Sequence, residues 1–318
     1  MLCEISEAFF GNFFLTWAAL NVIGFVMLMS SSSVLFYHYY WPSKVTFEKW
    51  QRKTNPEFPS VEKVRDEIVQ MTKGMLTATL SPAASLWLAT KPSSVPKMLH
   101  SQAYCGVSQD HGWSYLAGTF VFTWIASDFF EFYYHRLGHC HKFFWNHHKA
   151  HHKFFNPSPF AVIADEYVDQ LVRSIPLLVF PLLMPVNMDM LFLQYAMFFY
   201  CYGCYLHWGY ELDFLSAHNP VINTSYHHYL HHAKSMIYRP LHTGFMFKIW
   251  DEMFGSLYEG ECKCAKCACD RGERTLEKFR SIEIPDYGAL LQPSTWLKSG
   301  VFSGNLARDK NVAIAADN

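Results

Sequence analysis

The chain of 318 residues is poor in charge. Asp, Glu, Lys and Arg make up 17% of it, against about a quarter in ordinary soluble domains. Together with a hydrophobic content of 51%, this excludes a disordered or fibrous chain. The net charge is −1, so there is no basic field to hold nucleic acid, and no nucleic-acid partner is expected. Internal repeats and low-complexity tracts are lacking. So are the glycine fingerprint of a dinucleotide fold and a haem motif, which means the chain cannot supply redox electrons from a group of its own. Between Ala8 and Ser43 there is no Asp, Glu, Lys or Arg at all. A bilayer span takes about 20 apolar residues. The residues before this run are acidic (Glu4, Glu7) and the run is too long for a signal peptide, which predicts a retained membrane anchor.

Further apolar runs follow. Residues 75–90 read as a tilted span, half of a hairpin or a buried helix. Residues 111–127 are uncharged and aromatic, and predict a membrane helix whose extension carries Asp128, Glu131, His135 and His139 out of the bilayer. Residues 174–188 and 190–210 are broken by Asp189 and bent by Pro176, Pro181 and Pro185, as a hairpin entering and leaving on one side would be. The Lys/Arg-rich loops 44–75 and 135–155 set the orientation: N-terminus outside the cytoplasm, 44–75 inside, 91–112 outside, 135–173 and 211–318 inside. The expected fold is all-α, an integral membrane helical bundle with a cytoplasmic histidine-rich helical cap. Its expected division is an anchor and loop (1–110), a catalytic domain (111–260), and a Cys-rich segment and tail (261–318) that frays at its end.

What the chain has in excess is histidine: 17 in all, 13 of them from His135 to His232. Three groups stand out: His135 with His139; His148 with His151 and His152; His228 with His231 and His232. Residues three and four apart share a helix face, so each group aims its imidazoles at one point. Eight imidazoles exceed the four ligands of a tetrahedral zinc and suit two metal ions a few ångströms apart. Imidazole suits Zn, Cu, Fe and Ni. A membrane site fed by apolar substrate favours O2 chemistry, which iron performs and redox-inert zinc does not. Asp128 and Glu131 lie two turns and one turn before His135, where carboxylates can orient ligand imidazoles. Asp165, Glu166 and Asp169 form an acidic group after the second box.

These boxes resemble the fatty acid hydroxylase/sterol desaturase superfamily of membrane di-iron oxygenases. From Asp128 to Tyr258 the order and spacing are similar to the C-5 sterol desaturases (lathosterol oxidase-like). Phe132-Tyr133-Tyr134-His135-Arg136, Asn156-Pro157-Ser158-Pro159-Phe160, Asn219-Pro220-Val221-Ile222-Asn223, and Trp250-Asp251 with Phe254-Gly255-Ser256 carry the likeness. The resemblance implies a ninth metal residue, His207 in His207-Trp208-Gly209, and an acidic role for Asp169. His227, beside the third box, is an additional or supporting candidate. It also implies two iron ions, O2 as co-substrate, electrons from NAD(P)H through cytochrome b5 or its reductase, a sterol or related lipid substrate, and residence in the endoplasmic reticulum membrane as a multi-pass protein with the histidines facing the cytoplasm. Beyond the metal ligands no catalytic residue is expected. Cys140 stands where the family's first box has a second His, and Ile237-Tyr238-Arg239-Pro240-Leu241-His242-Thr243-Gly244 replaces an Asn-Tyr-Asn-Tyr-Gly-like run.

The expected activity is therefore desaturation or hydroxylation of a sterol. The alternatives within the superfamily are a sterol C-4 methyl oxidase or a fatty-acyl or sterol hydroxylase. From another class, the alternative is a histidine-rich membrane protein that binds or transports metal. Cys262, Cys264, Cys267 and Cys269 form a separate cluster, open to one zinc, to S-acylation or to neither. His218 and His242 are possible polar neighbours of the boxes, while His141 and His147 fall outside their register.

Overall fold

The computed structural model describes residues 11–90, 95–107 and 111–297. Glu4, Glu7 and the C-terminal tail lie outside them. The described chain is helical; its only β contacts are isolated bridges such as Lys53 with Tyr210. Helix α1 (Phe13–Tyr39, 27 residues) starts at Asn12, whose side chain accepts from Leu15 N. At about 1.5 Å per residue it spans roughly 40 Å. Among the described residues it is the one helix long and apolar enough to cross a membrane. Leu28, Ser32 and Phe36, four apart, form its buried stripe, while Val22, Ile23, Val26 and Val34 remain exposed.

After α2 (Phe47–Gln51) comes α3 (Val61–Ala78), an amphipathic helix capped by Ser60. It packs so closely on the turn Pro159–Ile163 that a Cβ on Gly74 would run into the Ile163 carbonyl. The largest core joins α1, α3 and this turn through Phe36, Tyr40, Val64, Met71, Phe160, Ile163 and Trp208. Helix α4 (Leu80–Ala89) has ten residues and is mostly buried, so the run 75–90 is the end of α3 followed by a packed helix too short to span a bilayer.

Helix α5 (Trp113–Cys140, 28 residues) is the longest, and its last turns carry the first box. Helices α6 (Lys142–His148) and α7 (Tyr167–Ser174) follow. The proline-rich run forms α8 (Pro176–Leu183), which ends just before Pro185. The chain then returns through α9 (Met188–Gln194), a π-helical turn (Tyr195–Cys201) and α10 (Tyr202–His207). Leu177, Val186, Leu191 and Tyr195 pack this hairpin. Thus one candidate span is seen where several were expected: the prolines and the switch in helical pitch cut the hairpin into pieces of 8, 7, 7 and 6 residues. Helices α11 (Ser225–Lys234), α12 (Ile249–Met253) and α13 (Ala265–Asp270) complete the part that bears on the site.

Glu67 on α3 is fully buried, accepts from Ser158 N and pairs with the Ser158 hydroxyl. Burial pushes its carboxyl up from 4.5 to about 8, against the pull of those hydrogen bonds. The folded chain thus keeps a proton that the unfolded chain has already released. That stabilisation is complete below the unfolded value and is lost as pH rises toward about 8. Glu67→Gln is expected to flatten the fall in melting temperature between about pH 5 and pH 8. Thermal unfolding of the detergent-solubilised protein checks this, and an unchanged slope refutes it.

Candidate metal centre

The last turns of α5 point His135 and His139, four apart, to the same side, and both are buried. The second box is not one helix. Helix α6 ends at His148, the chain turns at Lys149 and Ala150, and His151–Lys153 form a 3-10 turn. Helices α5 and α6 approach so closely that a Cβ on Gly138 would lie 3.1 Å from the His148 ring. The third box is helical, on α11. There Thr224 and His227 form a reciprocal cap, which assigns His227 to the helix start. His207 is the last residue of α10.

These elements gather the nine expected histidines into two adjoining groups. His135, His139, His148, His152 and His231 form one, and His151, His207, His228 and His232 the other, with the ligand atoms of each within 4.8 Å of one another. The second and third boxes each contribute to both groups. Nε2 faces Nε2 at 3.1 Å for His148–His152, His152–His231 and His228–His232, at 2.9 Å for His207–His228, and at 3.3 Å for His151–His207.

The opposite ring nitrogens of six of the nine are tied back. Nδ1 donates to the carbonyl of Thr243 from His135 (2.9 Å), of Met236 from His139 (3.2 Å), of Gly203 from His207 (2.8 Å) and of Leu241 from His231 (2.7 Å). His148 Nδ1 donates to Asp169 at 2.9 Å, and His151 Nδ1 lies 3.0 Å from Asp165. Arg173 gathers these carboxylates: it pairs with Glu131 and stands 3.9 Å from Asp165 and 3.7 Å from Asp169. Three of the carbonyls belong to the segment 236–243, in which Tyr238 (φ 65°) and His242 (φ 46°) adopt left-handed backbone. Asp251 clamps that segment by accepting from the N–H of Thr243 and of Gly244 and from the hydroxyls of Thr243 and Ser256.

With Nδ1 carrying the proton, Nε2 of His135, His139, His148, His207 and His231 is a bare lone pair aimed into its group. Those of His135 and His139 are buried with no hydrogen-bond partner, an arrangement that costs about 1–3 kcal/mol per group unless a cation accepts the lone pair. Burial, reinforced by the neighbouring imidazoles, holds His135, His139, His152, His207, His228, His231 and His232 well below the ordinary histidine value, and brings His148 down to about 3. His151 is the exception: against its burial, the Asp165 carboxylate raises it. Neutral rings with contacts near 3 Å fit a metal ion with Nε2 ligands about 2.1 Å away.

The remaining expected residues divide. Asp169 reaches a box histidine directly. Glu131 acts through Arg173. Asp128 touches no histidine; it accepts from the Met246 and Phe247 N–H groups and from Trp250 Nε1, and so holds the closing segment. His227 packs on His242 at 4.8 Å, outside both groups. Sequence reasoning missed Arg173 and the carbonyls of 236–243. A carbonyl leaves no trace in residue type, although Trp250-Asp251 was visible as a motif.

The helical chain carries two adjoining groups of buried imidazoles, and residues 120–256 match the model of the fatty acid hydroxylase family. Among curated proteins the chain is similar to two Delta(7)-sterol 5(6)-desaturases of Gibberella zeae. One is 31% identical over 159 residues (49% of this chain, 46% of the relative) and the other 26% identical over 244 residues (77% and 62%). It is also similar to the lathosterol oxidase of Rattus norvegicus, 29% identical over 147 residues (46% and 47%). The likeness is therefore to the fatty acid hydroxylase family over residues 120–256, and to relatives named as C-5 sterol desaturases. The chain thus spans about half to three fifths of the length of these relatives. No solved structure matches it.

Proposed function

We propose that the chain is a membrane-bound oxidoreductase that desaturates a sterol at C-5, with one iron ion held by each histidine group. The observation that carries this reading is the pair of imidazole groups in which His135, His139, His148, His207 and His231 commit their Nδ1 protons outward and turn Nε2 inward. Iron bound there supplies the oxidising power to activate O2 against an unactivated C–H bond. The balance is removal of two hydrogens from neighbouring carbons, with O2, two electrons and two protons giving two waters. The chain offers no redox group of its own, so the electrons come from a cytochrome b5-type donor fed by NAD(P)H.

The protein's part is placement. Asp169 and Asp165 orient the second box, and the carbonyls of 236–243 orient His135, His139 and His231. Phe198 stacks on Trp124 at 4.5 Å and Phe199 on Phe245 at 5.4 Å, giving the approach from the hairpin an aromatic, water-excluding wall. Helix α1 anchors the protein. The rod Met188–His207 and the uncharged half of α5, with Val121, Phe122 and Ile125 exposed, lie in the same bilayer. Cys105 is disulfide-bonded, whereas Cys140, Cys262, Cys264, Cys267 and Cys269 are free. This fits an oxidising compartment beside 95–107 and a reducing cytoplasm beside the histidines, as at the endoplasmic reticulum.

Expression in yeast lacking its own C-5 sterol desaturase tests the proposal. Sterols with a new C-5 double bond are expected by mass spectrometry. An unchanged sterol profile from a well-expressed, iron-loaded protein refutes the assignment, and C-4 demethylated or hydroxylated products redirect it within the family.

A further inference from the structure

A second, chemically different cluster lies outside the histidine boxes. His218, Cys262, Cys264 and Cys267 bring one ligand atom each to within 4.8 Å of one another. His218 Nε2 lies 3.3 Å from Cys267 Sγ and 3.6 Å from Cys264 Sγ. A tetrahedral ion with Zn–S of about 2.3 Å and Zn–N of about 2.0 Å sets such nitrogen and sulfur atoms about 3.6 Å apart. Cys264 Sγ also accepts from Cys267 N at 3.5 Å. The cysteines are all free thiols. The fourth cysteine of the run, Cys269, turns away and directs Sγ to the Gln51 carbonyl at 3.7 Å. The run of four thiols thus leaves one member out, and the missing ligand arrives from 44 positions upstream of Cys262, which local spacing cannot reveal.

We infer that His218, Cys262, Cys264 and Cys267 form a structural zinc site, separate from the iron centre. Three thiolates and one imidazole make a closed set with no open position, which is the pattern of structural and not catalytic zinc. Binding releases the three thiol protons to solvent. The site joins two stretches that otherwise touch through little more than one small core. Ala217, Tyr226, Leu230 and Cys264 form that core, the Tyr226 hydroxyl accepts from Lys263 N, and Glu211 accepts from Ala265 N. His218 stands ahead of α11 and the cysteines lead into α13. Zinc therefore fastens the helix of the third box to the segment behind it, and the softer sulfur-rich set keeps this ion apart from the all-imidazole groups.

The test uses the full-length protein purified in detergent, with zinc and iron measured by elemental analysis. Roughly one zinc per chain is expected in the unaltered protein and in Cys269→Ser. The double variant Cys262→Ser/Cys267→Ser, and separately the exposed His218→Ala, are expected to lower zinc at least about fivefold while iron is retained. Cobalt added to zinc-depleted protein gives thiolate-to-metal charge-transfer bands that the double variant lacks. Circular dichroism identifies a variant that has failed to fold, in which case His218→Ala, on the surface, decides. Absence of zinc from the unaltered protein, zinc undiminished in both variants, or Cys262, Cys264 and Cys267 found acylated or disulfide-linked by mass spectrometry overturns the inference. Loss of desaturation in yeast with zinc intact leaves it standing, so its fate is separable from that of the proposed reaction.

Discussion

His148→Ala is expected to abolish the proposed sterol oxidation and to strip iron from the proposed centre. His148 is fully enclosed; one nitrogen is fixed by Asp169, the other faces His152 at 3.1 Å, and its ring fills the space left by Gly138. Removing it takes from the buried Asp169 its nearest partner, leaving Arg173 at 3.7 Å, and leaves one group short of a ligand. Losing even a residue that only supports a metal ligand costs 10–100-fold, so a fall of about 100-fold or more in product, with most of the iron lost, is the expected result. His147→Ala is the matched control: it is the preceding residue on α6, its ring rests on Phe143, and it belongs to neither group. Sterol profiling and iron analysis of both variants provide the check. Wild-type product and iron in His148→Ala would remove the basis for the proposed centre.

Asp251→Ala should be nearly as damaging although Asp251 touches no histidine. Its side chain accepts from two backbone N–H groups and two hydroxyls, all buried. Each donor left unmet costs about 1–3 kcal/mol, so a loss of about 3 kcal/mol or more is expected. The larger effect is on the centre: the freed segment 236–243 no longer presents the carbonyls that hold His135, His139 and His231. Asp251→Asn separates the two effects. It keeps the volume and some acceptors, so the fold should persist by circular dichroism while iron retention falls about tenfold. Full iron content in Asp251→Asn would show that the carbonyls do not position the rings.

Much of this was legible in residue spacing. The intervals His135–His139 and His228–His231–His232 follow helical periodicity, and α5 and α11 are helices there. His148–His151–His152 has the same interval, yet the chain leaves the α-helix at His148, so a like spacing is reached by a turn and a 3-10 segment. Local patterning cannot foresee this, because the close approach of α5 at Gly138 decides it. The carboxylates divided for a similar reason. Asp128 and Asp169 look alike in sequence; Asp128 faces the N–H groups of 246 and 247, and Asp169 faces His148, and only long-range packing sets that difference. The apolar run 75–90 was ambiguous because length alone separates a span from a buried helix. The hairpin was signalled by Pro176, Pro181 and Pro185, but the π-helical turn at 195–201 carried no comparable mark.

The second and third boxes each lend rings to both groups, so the centre is interlocked. The same interlock ties the fates of the halves together: an ion leaving one relaxes the very backbone that grips the other. Filling and emptying should therefore proceed as a single concerted event, with little of the half-loaded form present at equilibrium.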